Sequence, residues 1–326
     1  MQWQPNAKLV AIKRRAQLLA AIRRFFAERN VLEVETPLLC AHSVTDPYIA
    51  SIAVSNAINP HQHPHYYLQT SPEYAMKRVL AAYGSELGDG IYQLSKAFRQ
   101  DSCSARHNPE FTLLEWYRPG FTLNALIDEV AQLLTAVYAQ SGQTLDIHRL
   151  SYQGLFESVL GLNPHTASVA ELLLCAKPWL PQQYDELDKK DVLELLFSFA
   201  IEPTLLVYPA LFVTDYPECM AALAQLQHDS DYVTASRFEL YLNGMEVANG
   251  YHELTDVATH VRRFTADQTR RCALGLPAID IDQRFVAAMA AGLPACSGVA
   301  LGVDRLLMAL FGNTIQEVLV FSFDHA

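Results

Sequence analysis

No apolar run in this chain approaches the roughly 18 to 20 residues of a membrane span, and the segment MQWQPNAKLVAIKRR lacks the long apolar stretch of a secretory signal. Both absences predict a soluble protein that stays in the cytoplasm and does not engage a membrane. Cysteine is sparse: six residues, Cys40, Cys103, Cys175, Cys219, Cys272 and Cys296, none in a C-x-x-C pair. Scattered thiols suit a reducing compartment and argue against a zinc site or a disulfide framework, so most are expected to be buried and inert. Positive charge is short as well, with 24 Lys and Arg against 35 Asp and Glu and a formal net charge of -11. Generic nucleic-acid binding rests on counterion release by Lys and Arg, so any positive site must be local. The common phosphate-binding signatures are missing: SGVALGVDR does not match G-x-G-x-x-G, and no G-x-x-x-x-G-K-[ST] occurs. Internal repeats and low-complexity segments are also missing.

What remains is a chain of 326 residues, 51% of them hydrophobic, long enough for a large core without metal or disulfide staples. The spacing predicts a helix over about 8–29, where Lys8, Lys13, Arg14, Arg15, Arg23 and Arg24 surround an apolar stripe of Leu9, Ile12, Ala16, Leu19 and Phe26. That basic surface is either a solvated face or a docking face for an acidic partner. VLEVETPLL reads as a strand closed at Pro37. YYLQTSPEYAMKRVLAAY reads as strand, turn and helix, with Ser71 as N-cap and Pro72 at the first helical position. IYQLSKAFRQD and PEFTLLEWYRP flank the polar SCSARHN as a hairpin with a longer loop, and a helix follows Thr122. Residues from about 140 to 230 alternate helices with Pro-bounded loops and carry no chemistry motif. RFELYLNGMEVANGYHEL then reads as a hairpin turning at Asn243-Gly244. Helices over about 256–273 and 281–291 precede SGVALGV, the last strand, and DRLLMALFG, the last helix. Strands from distant parts of the chain, arranged in hairpins, predict an α+β fold with a mostly antiparallel sheet flanked by helices.

Several residues in this pattern suit a phosphorylated ligand. Arg99 ends a strand, followed by Asp101, Arg106 and His107, while Arg305 comes from the far end of the chain; two fixed guanidiniums can clamp a polyphosphate bidentately. A lone Arg at a strand end also serves structure. Glu246 and Glu253 flank Asn249-Gly250, and two carboxylates beside phosphate-binding arginines make sense with Mg²⁺ between them and the phosphates, though they also suit a hairpin surface. Glu73, Glu115 and Tyr117 add negative and hydrogen-bonding groups that would face a cationic ligand such as a diamine if they converge. Phe111 could stack on a purine or fill the core. The glycines of SGVALGVDR let a ligand approach the strand backbone. HQHPH, with His61, His63 and His65, has ligand-like residues but no companion Cys or acidic cluster, and is set aside as a metal site.

Together these stretches resemble the catalytic core of a class II aminoacyl-tRNA synthetase of the lysyl branch. VLEVETP looks like motif 1, FRQD followed by RHNPEF like motif 2, and GVALGVDR like motif 3; TSPEYAMKR, EWY and MEVANGYHEL join them in the right order. The resemblance implies that Arg99 holds the α-phosphate of ATP and Arg305 the γ-phosphate, with the purine between Arg305 and Phe111. It implies that His107 and Asn108 help position the nucleotide, with Gln100, Asp101, Val247 and Gly302 also at the ATP site. It implies Mg²⁺ on Glu246 and Glu253, and a lysine-like substrate met by Ser71, Pro72, Glu73, Glu115, Tyr117, Glu253 and Ala300. A homodimer paired through motif 1 is implied as well.

Lysyl-tRNA synthetases carry an anticodon-binding barrel before motif 1, whereas this chain reaches VLEVETP by about residue 31. The resemblance is therefore to a truncated group of paralogues that activate (R)-β-lysine and attach it to a lysine of translation elongation factor P, without tRNA. It implies a single synthetase-like catalytic domain over residues 1–326, no anticodon-binding domain, and a helical segment at about 140–230. A minimal synthetase that charges tRNA or another acceptor with lysine is the alternative. Ala300 stands where similar lysyl-tRNA synthetases have Gly. One added methyl would crowd a substituent at the α-carbon and tolerate an amine at the β-carbon, a discrimination of about 1 to 3 kcal/mol. FRQD in place of FRNE shortens the reach of Asp101 toward a substrate amine.

Overall fold

The computed structural model describes residues 3–57, 61, 65–180, 187–228 and 231–326. In chain order its elements are α1 (Leu9–Ala27), β1 (Leu32–Glu33), β2 (Leu39–Cys40), β3 (Ala53–Ser55), β4 (His65–Leu68), α2 (Glu73–Tyr83), β5 (Ile91–Phe98), β6 (Glu110–Pro119), α3 (Leu123–Gln140), β7 (Ile147–Ser151), α4 (Tyr152–Leu160), α5 (Val169–Ala176), α6 (Lys189–Leu196), β8 (Ala210–Pro217), β9 (Leu226–Gln227), β10 (Thr234–Leu242), β11 (Met245–His252), α7 (Val257–Ala273), α8 (Gln283–Gly292), β12 (Cys296–Gly302), α9 (Val303–Phe311) and α10 (Ile315–Val318). Two compact units result, one from Met1–Phe121 with Leu254–Ala326 and one from Thr122–Glu253.

In the first unit β6 lies between β5 and β12, antiparallel to both, and β1 runs parallel to β5. Side chains alternate across a strand, so this sheet has two chemically distinct faces. Helix α1 covers one of them: Phe26 stacks on Tyr92 at 4.4 Å between centroids and meets Trp116 edge-on at 5.3 Å. The buried stripe of α1 is Leu18, Ile22, Phe25 and Phe26, which corrects the stripe expected from the sequence, since Leu9 and Ala16 are exposed. Arg15 falls on the same face as the true stripe and turns inward, where it meets Asp304. The other face carries Phe111, Leu113, Glu115 and Tyr117 of β6 opposite Ala97, Ser95, Gln93 and Ile91 of β5. Along β12, Gly302, Ala300 and Gly298 face Leu113, Glu115 and Tyr117. A chain that puts Gly, Ala and Gly in that row leaves the middle of the face low.

The second unit has β10 antiparallel to β11, β8 and β9, and β7 parallel to β8. Both units are therefore mostly antiparallel and flanked by helices, as the sequence predicted. Thr122 caps α3, its hydroxyl accepting from the Ala125 amide at 3.2 Å. The largely aliphatic core around α4, α6 and β8 has an aromatic cluster in it, with Tyr152 stacked on Phe156 at 4.7 Å and on Phe197 at 5.3 Å. β7, β8 and β9 correct the expectation of helices and loops alone between about 140 and 230. β8 is buried along nearly its whole length, so it lacks the alternation that marks a half-exposed strand, and Pro209 and Pro217 at its ends read as loop. The β10–β11 hairpin turns at Asn243 (φ 50°) and Gly244 (φ 69°), the left-handed pair that a two-residue hairpin needs.

Two smaller corrections concern cysteine and the C-terminal helices. Only Cys296 is buried, while Cys103, Cys219 and Cys272 are exposed and Cys40 and Cys175 intermediate. Helix α9 is followed by the short α10, whose N-terminus is held by a capping box between Thr314 and Glu317. Of HQHPH, His63 lies outside the described residues.

Candidate active site

The face of β5, β6 and β12 turned away from α1 carries Phe111, Glu115, Tyr117, Ala300 and Gly302, and Arg99 continues the chain beyond β5. Arg99 follows directly on β5, half-buried, with its backbone N–H donating to the Pro109 carbonyl at 3.0 Å and its guanidinium 5.3 Å from the Phe111 ring centroid. Its Nε is buried and has no acceptor among the described residues. A desolvated guanidinium nitrogen without an acceptor is costly unless an anion takes that position. Gln100 and Asp101 are exposed, and the Gln100 amide is held by the Ala50 carbonyl at 2.8 Å.

His107, in the loop between β5 and β6, meets Arg305 from the first turns of α9: Arg305 Nη2 lies 2.9 Å from His107 Nε2, and His107 Nδ1 lies 2.9 Å from Ser104 Oγ. Guanidinium only donates, so Nε2 is the acceptor and Nδ1 carries the proton. Partial burial and then the Arg305 charge hold the imidazole below its ordinary pKa, against the opposing effect of Asp101. Asn108 is occupied at both ends, donating to the Glu110 carbonyl at 2.6 Å and accepting from the Phe323 amide at 2.9 Å. Its side chain therefore shapes the loop. Gly302 is the N-cap residue of α9 and places Arg305 in the first turn.

Three of the predicted amine-binding groups, Glu115, Tyr117 and Ala300, occupy the same face. Glu115 and Ala300 are direct cross-strand partners, as are Tyr117 and Gly298. The Tyr117 hydroxyl donates to Glu115 Oε1 at 2.7 Å, and both residues are buried. Ser71 and Pro72 shift by one position from the expected cap. Pro72 is the N-cap of α2, its carbonyl accepting from the Met76 amide at 2.9 Å, while Ser71 Oγ accepts from the Glu73 amide at 3.1 Å.

Sequence reasoning missed Lys77. Its Nζ is 2.6 Å from Glu73 Oε1, with its side chain fully buried, and lies 5.8 Å from the Tyr117 ring centroid. Glu73 thus already carries an internal ammonium. The signal was the i, i+4 spacing of Glu73 and Lys77 on one helix face. Gln93 was missed too. It sits in the row of Glu115 and Ala300 and accepts from the Thr36 amide at 3.0 Å, tying the VLEVETP segment to this face.

In the second unit, the pairing of β10 with β11 slips by one residue so that Val247 has no partner: Leu240 faces Ala248 and Tyr241 faces Glu246. This bulge turns Glu246 onto the face of Glu239, Asn249 and Tyr241. Glu239 accepts from the hydroxyls of Tyr216 at 2.7 Å and Tyr241 at 2.6 Å, and pairs with Arg237. Burial works against the charge on Arg237, but Glu239, Tyr251, Tyr216 and Glu246 together hold its pKa above the ordinary value. Burial first, then Glu239, Tyr216 and Glu246, keep the Tyr241 phenol protonated.

Glu253, just beyond β11, is buried, and its backbone carbonyl accepts from Gln225 at 2.9 Å. Both carboxylates belong to one short stretch of chain, Glu246 on β11 and Glu253 just past its end. Glu239 of β10, on the same face as Glu246, is paired across the strands with Asn249, and Glu246 with Tyr241. With Glu239 taken up by two phenols and Arg237, the carboxylates of Glu246 and Glu253 are the hard oxygen donors of the kind Mg²⁺ takes, with phosphates and water completing its shell.

The sequence profile of the class II tRNA synthetases (D, K and N) matches residues 3–325. The chain is 45% identical over 331 residues to a protein of Pasteurella multocida named elongation factor P–(R)-β-lysine ligase, covering 99% of this chain and 98% of the relative. Proteins of the same name from Pseudoalteromonas translucida and Haemophilus ducreyi are 44% and 43% identical, each covered to 98%, over 99% and 100% of this chain. Full-length identity at this level, with the three motifs on the strands and helix described above, places the chain in the class II tRNA synthetase family, in the group of the elongation factor P–(R)-β-lysine ligases.

Proposed function

We propose that this enzyme activates (R)-β-lysine with ATP as an aminoacyl-adenylate and transfers it to the ε-amine of a specific lysine of translation elongation factor P. The observation that carries this reading is the 45% identity over 99% of the chain to a ligase of that name. In the first step a carboxylate oxygen of β-lysine attacks the α-phosphorus and pyrophosphate departs. Arg99 takes the α-phosphate, and Arg305, steadied by His107, takes the γ-phosphate and one face of the purine. Phe111 takes the other face. Charge that builds on the phosphates is met by guanidiniums already in place, which is the larger part of what this chemistry requires. Gln100, Asp101, Val247 and Gly302 line the nucleotide, and Asn108 holds the loop. Mg²⁺ would be held by Glu246 and Glu253, and would neutralise phosphate charge.

The amines of β-lysine are read by Glu115 with Tyr117 and by Glu253, with Ser71, Pro72, Glu73 and Ala300 shaping the pocket. In the second step the neutral ε-amine of the acceptor attacks the carbonyl of the mixed anhydride, an amide forms, AMP leaves with the bonding electrons, and the amine gives up its proton. We take residues 1–326 as one synthetase-like catalytic domain that works in the cytoplasm as a homodimer paired through its VLEVETP segment, without tRNA. Leu32 of β1, 52% exposed, would be covered in that pairing. No helix among the described residues is long and apolar enough to cross a membrane.

Pyrophosphate exchange with (R)-β-lysine and α-lysine at matched concentrations tests the first step. Preference for β-lysine, followed by β-lysylation of elongation factor P seen by mass spectrometry, is the expected result. Preference for α-lysine, with salt-sensitive transfer to tRNA, would replace this reading by the minimal synthetase.

A further inference from the structure

The arginines of α1 have no place in the chemistry above, yet one of them is built into the sheet. Arg15 Nη1 lies 2.5 Å from Asp304 Oδ1, and its Nη2 lies 2.6 Å from Thr112 Oγ1. The second carboxylate oxygen, Asp304 Oδ2, accepts from the Thr112 backbone N–H at 2.7 Å. Three residues from α1, β6 and α9 thus close a ring of short, charge-assisted hydrogen bonds. Side-chain exposure is 14% for Arg15 and 3% for Asp304. A buried ion pair is weak support for stability compared with apolar packing of the same volume, so its presence here calls for another account.

That account lies in the neighbours. Thr112 follows Phe111 on β6, and Asp304 precedes Arg305 on α9. Side chains alternate along β6, so Thr112 points to the α1 side while Phe111 points to the open face. The ring is therefore one residue from each of the two groups that would enclose the purine. Fork geometry matters, because one guanidinium spans Asp304 and Thr112 together, which a single ammonium cannot do in a fixed plane.

We propose that Arg15 is a positioning residue for ATP: through Asp304 and Thr112 it sets the gap between Phe111 and Arg305. This rests on the assignment of those two residues to the purine. Equilibrium binding of ATP and of CTP to the full chain, measured by calorimetry, tests it. In Arg15→Met the Kd for ATP rises about tenfold, and the preference for ATP over CTP shrinks severalfold, because a loosened slot costs the larger base more. Partial unfolding would scale both affinities equally, so the ratio reads the slot and not the stability. Arg15→Lys restores part of the ratio. Thr112→Val, which keeps the shape of the side chain and removes one acceptor, shrinks it less than Arg15→Met and serves if Arg15→Met does not fold. An unchanged ratio in both Arg15→Met and Thr112→Val, with ATP still bound by the unaltered protein, overturns the proposal and leaves the functional reading standing. Failure of the unaltered protein to bind ATP removes both.

Discussion

The hairpins β5–β6 and β10–β11 are both antiparallel, and they hold their charged residues in opposite ways. β5 and β6 are joined by an exposed loop that carries Arg99 at one end and His107 near the other. β10 and β11 are joined by the two-residue turn at Asn243-Gly244, and their charged residues lie on the strand face, where Arg237, Glu239, Tyr216 and Tyr241 satisfy one another. Arg99 keeps a buried Nε without an acceptor among the described residues. An incomplete network waits for a ligand, whereas a closed one holds the fold. The first hairpin should therefore lose function when altered, and the second should lose stability as well.

The largest expected effect is at the first hairpin. Arg99→Ala should lower β-lysine-dependent pyrophosphate exchange by at least about a thousandfold, with the unfolding midpoint close to that of the unaltered protein. Near-normal exchange would remove Arg99 from the phosphates, and a large drop in midpoint would make it a structural residue like its counterpart Arg237.

Glu239→Gln tests the other side of the comparison. It leaves Arg237 buried without its carboxylate, a loss of about 3 to 5 kcal/mol in urea denaturation. Glu246→Ala, one cross-strand neighbour away, should abolish exchange by removing a Mg²⁺ ligand at much smaller cost in stability. Equal destabilisation by both would mean that the whole face is structural and that the metal is held elsewhere.

The legibility of these regions in the sequence follows the same division. Asn243-Gly244 announced its turn because few other residue pairs accept two left-handed conformations, and the strands on either side followed. Simple alternation along PEFTLLEWYRP puts Phe111, Glu115 and Tyr117 on one face, and Ala300 is singled out by resemblance, at a place where similar lysyl-tRNA synthetases have Gly. Longer-range facts left weaker traces. Which face of α1 is buried depends on what packs against it, so the sequence groups Arg15 with a basic surface, solvated or docking, although it sits three residues before Leu18 on the buried stripe. The bulge at Val247 has no local signature, and without it Glu246 seems to point away from Asn249. Lys77 was visible only as a helix partner of Glu73; its complete burial is a property of tertiary packing. β8 was lost because a strand buried on both faces has no alternation to read.

A smaller effect is expected at Ala300, within the row that includes Glu115. Its Cβ lies on the face that carries Glu115 and Tyr117, by the register of β6 with β12. Removing that methyl in Ala300→Gly should raise kcat/KM for α-lysine relative to β-lysine by about ten- to a hundredfold, the range that one methyl group supplies. An unchanged ratio would show that the selection is made on another strand, and would weaken the view that the first unit reads the substrate.

The smallest effect belongs to His107, and it probes whether the loop is as open to solvent as the comparison requires. Partial burial and the Arg305 charge lower its pKa from the ordinary 6.5. Between that lowered value and 6.5 the unfolded chain binds more protons than the folded one, so stability rises with pH across this window. The contribution is complete above 6.5 and is lost as the pH falls toward the folded-state value. Protonation also places a hydrogen on Nε2, the atom that accepts from Arg305 at 2.9 Å, so acid should release Arg305 and weaken ATP binding over the same window. An NMR titration of the imidazole should give a midpoint below 6.5, and His107→Gln should flatten the acid limb of ATP binding while leaving the limb above neutrality unchanged. A midpoint at or above 6.5 would mean that Arg305 does not rest on His107 in solution, and the loop of the first hairpin would then owe its order to the nucleotide alone.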